Sequence, residues 1–248
     1  MKMECMENTL KLTEKNIEMF AFTNRSLIKG DVKAIVLDFH GLGDTRLRKE
    51  ASQFEIMCAE ENVLTVFPYY GPWSWMNPEA VRFVDAVVDA CCKRDSLDIN
   101  SVPIISSGGS MGGLSALIYT RYAKITPKAC FANCPVCDLV YHATERDDLP
   151  RTIYYAFKSC DCGIEQAIIN NSPYHQTDKM PDIPYFIIHG TEDTAVNINI
   201  HSDRFVEAMR RSGKNVTYHI VDGMSHCDLG SFPEYRMLYL NSIIDACK

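Results

Sequence analysis

Gly108-Gly109-Ser110-Met111-Gly112 is a Gly-x-Ser-x-Gly pentapeptide, and it offers one specific chemistry: nucleophilic attack by a serine hydroxyl. It follows the apolar run Val102-Pro103-Ile104-Ile105 and precedes the helical pattern Leu114-Ser115-Ala116-Leu117-Ile118-Tyr119. A serine on such a strand-to-helix turn presents its hydroxyl, and the flanking glycines let strand and helix approach closely. The Met111 N–H, at the helix start, is then placed to donate to a developing oxyanion.

A serine hydroxyl needs an adjacent base, and the base needs an orienting acid. Downstream, His189-Gly190-Thr191-Glu192-Asp193-Thr194-Ala195-Val196 follows a strongly apolar run, and Gly223-Met224-Ser225-His226 follows the next. Asp193 competes with Glu192 for the acid, since a turn-stabilising Asp is common. His226 competes with six other histidines as the base. His40 and His189 each precede a glycine at a strand end and read as loop-orienting. His219 within a strand and His201 on a helix read as structural, and His142 and His175 carry no assignment. The loop His40-Gly41-Leu42-Gly43-Asp44 is small enough to turn a backbone N–H inward, so Leu42 and Met111 are the expected oxyanion donors.

These groups need a scaffold that gathers them at one edge. Short Val- and Ile-rich runs alternate with segments of helical period, which predicts a mostly parallel sheet with helices on both faces, an α/β class fold. Expected strands cover residues 17–23, 34–39, 63–67, 102–106, 129–133, 185–189 and 216–221. Expected helices cover 47–61, 78–93, 111–122, 198–211 and 233–247. Asn77 is the expected N-cap of the second helix, with Pro78 in its first turn. One domain is expected over residues 1–248, with residues 135–181 breaking the alternation as a small helical cap that includes residues 164–170.

The ordered motifs resemble the α/β-hydrolase superfamily, and more narrowly the prolyl oligopeptidase-like esterases and peptidases. The matching pieces are His40-Gly41-Leu42-Gly43, the elbow at 108–113, Ile183-Pro184 leading into His189–Val196, and Gly223 to His226. The resemblance implies Ser110, Asp193 and His226 as a catalytic triad, in agreement with the reading of the residues themselves. It also separates Asp193 from Glu192.

Composition narrows the function classes. The 248 residues carry a net charge of -7 with no basic block, which argues against nucleic acid as a partner. Met1 to Asn8 has no apolar core of signal-peptide length, and no run approaches a membrane span. Eleven cysteines, an odd count, suit a reducing compartment better than a disulfide framework, so a cytoplasmic location is expected. Cys134, Cys137, Cys160 and Cys162 raise a structural zinc alternative, although the Cys160–Cys162 spacing is tighter than zinc sites usually show. No metal or organic cofactor is required by the triad chemistry. The sequence sets no oligomeric state.

Both tryptophans, Trp73 and Trp75, fall in the loop after strand 63–67. They read either as rings closing the core or as an aromatic platform for a sugar or phenolic acyl group. Three functions follow: a carboxylic-ester hydrolase on small acylated compounds, an oligopeptidase-like peptidase, or a silent hydrolase-fold binding protein. An intact set of triad residues speaks against the last. Family oligopeptidases carry a large N-terminal propeller, and only about 30 residues precede the first sheet strands here, so the esterase is the expected function.

Overall fold

The computed structural model describes residues 11–248, and the reading of Met1 to Asn8 lies outside them. Seven strands form one sheet in the order β1-β3-β2-β4-β5-β6-β7. They are β1 (Ala21–Thr23), β2 (Ala34–Phe39), β3 (Val63–Pro68), β4 (Ile104–Gly109), β5 (Ala129–Asn133), β6 (Tyr185–Gly190) and β7 (Val216–Val221). All neighbours are parallel except β1, which runs antiparallel along β3. The expected mostly parallel sheet is therefore present.

Strand alternation divides the core in two. In β2, Ile35, Leu37 and Phe39 belong to one hydrophobic cluster, and Ala34 and Val36 to the other. The first cluster includes residues of α2 (Pro78–Arg94), α3 (Met111–Tyr122) and α7 (Arg204–Arg211), and the second includes α1 (Gln53–Glu60) and α8 (Pro233–Ala246). Helices thus cover both faces, as near-continuous apolar strands require. No helix among the described residues is long and apolar enough to cross a membrane.

Local chemistry sets several ends. The side chain of Asn77 accepts from Ala80 N at 2.9 Å and caps α2, with Pro78 in the first turn. The helix expected over 47–61 begins only at Gln53, because Ser52 and Glu55 close a reciprocal capping box there. The strand expected over 17–23 is a 3-10 turn at Ile17–Met19 followed by β1. The helix expected over 198–211 opens with a π turn, Asn199–Asp203, before α7. The strand expected over 102–106 is displaced to β4, whose glycines pair with both neighbours: Gly108 with Phe39 and Gly109 with Asn133.

Between β5 and β6 the chain forms α4 (Leu139–His142), α5 (Leu149–Phe157), α6 (Ile164–Asn170) and a 3-10 stretch, Pro173–Lys179. The order reverses around β2 and β4: the chain passes from β2 outward to β3, then returns to place β4 on the other side of β2. Open α/β sheets build their sites at such a switch, beyond the carboxyl ends of the strands.

Candidate active site

Ser110 follows β4 at that switch with φ 60° and ψ -124°, a strained conformation for a residue with a side chain. Its N–H donates to Asn133 O at 2.9 Å, and its carbonyl accepts from Leu114 N at 3.1 Å, so strand, helix and neighbouring strand fix the turn. The turn is too tight for larger residues. A Cβ on Gly112 would lie 2.1 Å from Phe39 O, and one on Gly108 would lie 2.5 Å from Gly112 O.

Asp193 stands in the loop after β6. Its Oδ1 accepts from Ala195 N and Val196 N at 2.9 Å each, and its Oδ2 accepts from His226 Nδ1 at 2.7 Å and His189 Nε2 at 3.0 Å. Burial works to raise this carboxyl, but the hydrogen bonds from His189, His226 and Val196 outweigh it and hold the group well below the usual carboxylate range. For His226 burial works downward, yet the hydrogen bond and charge of Asp193 prevail and leave the imidazole above its ordinary 6.5. With Nδ1 committed to Asp193, Nε2 is the basic nitrogen.

His189 also holds the Asp193 carboxylate. Its Nε2 faces Asp193 Oδ2 and Val196 O, both acceptors, so it carries the proton; Nδ1 then accepts from Ser202 Oγ at 2.6 Å. This agrees with a loop-orienting role and adds a direct contact with Asp193 that the sequence did not reveal.

Ser110, His226, Leu42, His40, Gly41, Gly109, Asp44, Asp38, Arg48, Phe67, Arg146 and Cys227 line one pocket of about 470 Å³. Met111 is the first residue of α3, where helical N–H groups have no partner within the helix. The Leu42 loop is held by Tyr70, whose hydroxyl donates to His40 O at 2.8 Å and whose ring stacks on His40 at 4.1 Å. A larger cavity of about 600 Å³ between α2 and the α5–α6 segment contains none of these residues.

Three pocket groups had no sequence assignment. Burial raises the Asp38 carboxyl to about 6, against the opposing charge of Arg48 at 3.3 Å. Arg48 also pairs with Glu55 at 2.6 Å and lies over the Phe67 ring. Arg146 arrives from the segment between α4 and α5, where the run Thr144-Glu145-Arg146-Asp147-Asp148 was a visible signal without a partner. Its neighbour Glu145 joins two buried histidines: Oε2 accepts from His142 Nδ1 and from His201 Nε2 at 2.9 Å. His201 Nδ1 in turn accepts from Cys137 N and Asp138 N at 3.1 Å each. Burial works to raise Glu145, but the two histidine bonds bring it down to about 2.

The two tryptophans part company. Trp73 is 52% exposed and lies near the Leu42 loop, with Nε1 3.8 Å from where a Gly43 Cβ would sit. Trp75 is fully buried, which corrects its assignment as a substrate-binding residue. Its Nε1 donates to Thr152 Oγ1 at 3.0 Å, and Asn171 Nδ2 holds the carbonyl of Met76 at 2.6 Å. A buried indole with its N–H satisfied anchors the inserted helices and has no face left for a ligand.

The four-cysteine zinc alternative also receives no support. Among the described residues, no group of His, Cys and carboxylate donors close enough to share a metal includes Cys137, Cys160 or Cys162. Cys134 lies instead against Cys227, whose thiol hydrogen bond, opposed by burial, brings the Cys134 thiol down to about 7; the same bond pushes Cys227 up.

Comparison with known proteins fits this geometry. The chain resembles a Pyrococcus horikoshii acylaminoacyl peptidase (TM-score 0.69, 14% identity), covering 88% of this chain but 37% of the peptidase, so it spans about a third of that protein. It also resembles Esterase B from Lactobacillus Rhamnosis (TM-score 0.67, 10% identity, 89% of this chain and 78% of that one). A truncated carbohydrate esterase from gut microbiota is similar as well (TM-score 0.67, 12% identity, 88% and 87% covered). At these identities the likeness speaks for the α/β-hydrolase fold alone. A search of the curated proteins finds no match. The profile of the prolyl oligopeptidase family, however, matches residues 82–244, about two thirds of the chain and the whole stretch that carries Ser110, Asp193 and His226. The chain belongs to the prolyl oligopeptidase family of serine hydrolases.

Proposed function

We propose that this protein is a serine carboxylic-ester hydrolase, acting on small acylated compounds such as acetylated or feruloylated oligosaccharides. The observation that carries the reading is the convergence of a strained Ser110, an Asp193-bound His226 and the Leu42 loop on one pocket. In the mechanism, His226 Nε2 takes the Ser110 proton as Oγ attacks the ester carbonyl, and Asp193 stabilises the imidazolium. The N–H groups of Leu42 and Met111 hold the oxyanion, each worth about 3–4 kcal/mol in the transition state. The alcohol leaves with the proton from His226, and a water activated by the same nitrogen then releases the acid.

The ester preference rests on the walls of the pocket. Asp38, Asp44, Arg48 and Arg146 surround the nucleophile, a lining that suits a hydroxyl-rich alcohol better than an apolar peptide flank. The carbohydrate esterase among the structural neighbours points the same way. Trp73 is the candidate platform for the sugar or phenolic face.

The test is a hydrolysis panel of p-nitrophenyl esters of increasing chain length, methyl ferulate, acetylated xylo-oligosaccharides and aminoacyl-anilides, with Ser110→Ala as control. Preference for the acetylated or feruloylated substrates is expected. Preference for the anilides would establish a peptidase instead, the reading that the acylaminoacyl peptidase likeness favours. No turnover on any member would leave a binding protein.

A further inference from the structure

Three groups of described side chains bring metal-ligating atoms within 4.8 Å of one another, and two of them have already spent their donors. In His142–Glu145–His201, both His201 nitrogens are engaged, one by Glu145 and one by two backbone N–H groups. In Cys134–His189–Asp193, both His189 nitrogens are engaged by Ser202 and by Asp193 with Val196 O. The third group is Cys134, Cys227 and His226, and outside the Asp193 bond at Nδ1 it holds only weak sulfur contacts: the Cys227 N–H on Cys134 Sγ at 3.3 Å, and Cys227 Sγ against Asn133 O at 3.5 Å and His226 Nε2 at 3.9 Å.

We propose that Cys134 Sγ, Cys227 Sγ and His226 Nε2 form a binding site for Zn²⁺ that switches the enzyme off. The proposal rests on His226 being the catalytic base. Two thiolates and an imidazole are a donor set that zinc favours, and tetrahedral bonds of 2.0–2.3 Å put such donors about 3.5–3.8 Å apart. His226 Nε2 and Cys227 Sγ are 3.9 Å apart, and all three donors fall within 4.8 Å, so small side-chain rotations close the site. The pocket lies open along His226 and Cys227, which gives the ion a path in and leaves the fourth position to water.

Backbone geometry supports the arrangement independently. Cys134 and Cys227 stand at φ 44° and 56°, left-handed positions that residues with side chains seldom occupy. One turn follows β5 and the other follows β7, yet the Cys227 N–H donates to Cys134 Sγ at 3.3 Å. Cys227 Sγ itself lies 3.5 Å from Asn133 O and 3.1 Å from where a Gly109 Cβ would sit, beside the nucleophile. A side chain at position 109 would intrude on that sulfur. Asn133 also carries a buried Oδ1 with no hydrogen-bond partner among the described residues.

Binding displaces the two thiol protons to solvent, forms two Zn–S bonds and one Zn–N bond, and involves no electron transfer. It occupies the lone pair of Nε2 that must accept the Ser110 proton, so the loaded protein has no general base. The product of the reaction is unaffected; only the fraction of active molecules changes.

Two measurements test the site. In the first, ester turnover of the full chain is titrated with Zn²⁺ and restored with EDTA. Reversible loss of activity is expected, with Cys134→Ser raising the half-inhibiting concentration about 100-fold or more, since losing a ligand costs at least as much as losing an outer-sphere partner. Equal sensitivity of wild type and Cys134→Ser would overturn the proposal. In the second, Co²⁺ is added to the inactive Ser110→Ala protein and the thiolate-to-cobalt charge-transfer absorption is followed. The band is expected with Ser110→Ala alone and lost when Cys134→Ser or Cys227→Ser is added; its absence with Ser110→Ala alone overturns the site. If the chelator-treated wild type turns over no ester, the hydrolase reading fails while the cobalt band still decides the metal site.

Discussion

Two carboxylates in this molecule are each flanked by a pair of histidines, and they do opposite things. Asp193 sits between His189 and His226, and Glu145 sits between His142 and His201. In the first set the outer histidine is 27% exposed at its side chain and lines the pocket of Ser110. In the second, the two histidine side chains are 3% and 0% exposed. Both sets satisfy their carboxylate, and both hold it far below its ordinary range. What makes one a candidate base system and the other an anchor is whether a ring nitrogen is left facing open space. A buried His–carboxylate pair is by itself a packing device; it becomes a catalyst only where the fold leaves one nitrogen unspent beside a nucleophile.

The sharpest break of this comparison is at the nucleophile. Ser110→Ala is expected to lower turnover of p-nitrophenyl acetate by about 10⁴–10⁶-fold with circular dichroism unchanged. Activity retained within tenfold would remove Ser110 from the chemistry. Next is the acid. Asp193→Asn should cost about 10⁴-fold in kcat. As the proposed base His226 works only when neutral, and Asp193 holds it above 6.5, so kcat/KM of the wild type should fall as pH drops through a value above 6.5. Without the carboxylate that acid limb should move to lower pH; an unmoved limb would assign it to another group.

The matching change in the second set should leave catalysis alone. Glu145→Gln keeps the shape but loses the charge between His142 and His201, and an expected loss of about 1–3 kcal/mol lowers Tm by several degrees. The acid limb of kcat/KM should stay where it is. A limb displaced as far as in Asp193→Asn would erase the distinction between the two sets. The smallest effects separate the tryptophans. Trp73→Ala is expected to raise KM for feruloyl or sugar esters several-fold over acetate with little change in Tm, whereas Trp75→Phe should lose about 1 kcal/mol of stability with the Thr152 hydrogen bond and lower Tm by a few degrees. Kinetics on both esters and a melting curve for each variant distinguish the two.

How far the sequence reached follows the same logic. Strands β2, β5 and β7 coincide with their expected limits because apolar runs bounded by turn residues announce a parallel strand directly. The elbow, Asp193 and His226 could be named because local motifs fix each one at a strand end. Other features depend on how loops turn or on partners far along the chain. His189 reaches Asp193 through the shape of the loop after β6, and Arg48 reaches Asp38 from a stretch read as helix. Cys134 and Cys227 are 93 positions apart and meet only because β5 and β7 flank β6. Trp75 looked like its neighbour Trp73 because residue type carries no record of which way a left-handed corner turns, and Trp75 lies at φ 48°. The Ser52–Glu55 box was legible as a helix start and would have shortened the helix expected over 47–61.

β7 closes the sheet on one side, pairs with β6 alone, and leaves most of its residues half-buried or exposed, with Ile220 at 51%. His226 hangs from the loop after this strand, whereas Ser110 hangs from β4 at the centre. Partial opening that starts at the least protected strand would therefore carry off the proposed base while the central strands stay paired. Durability of the catalyst and durability of the fold become separate quantities: on slow heating, ester turnover should decline before the helical signal does, and cross-strand substitutions that tighten β7 onto β6 should extend working life more than any repair to the well-packed centre.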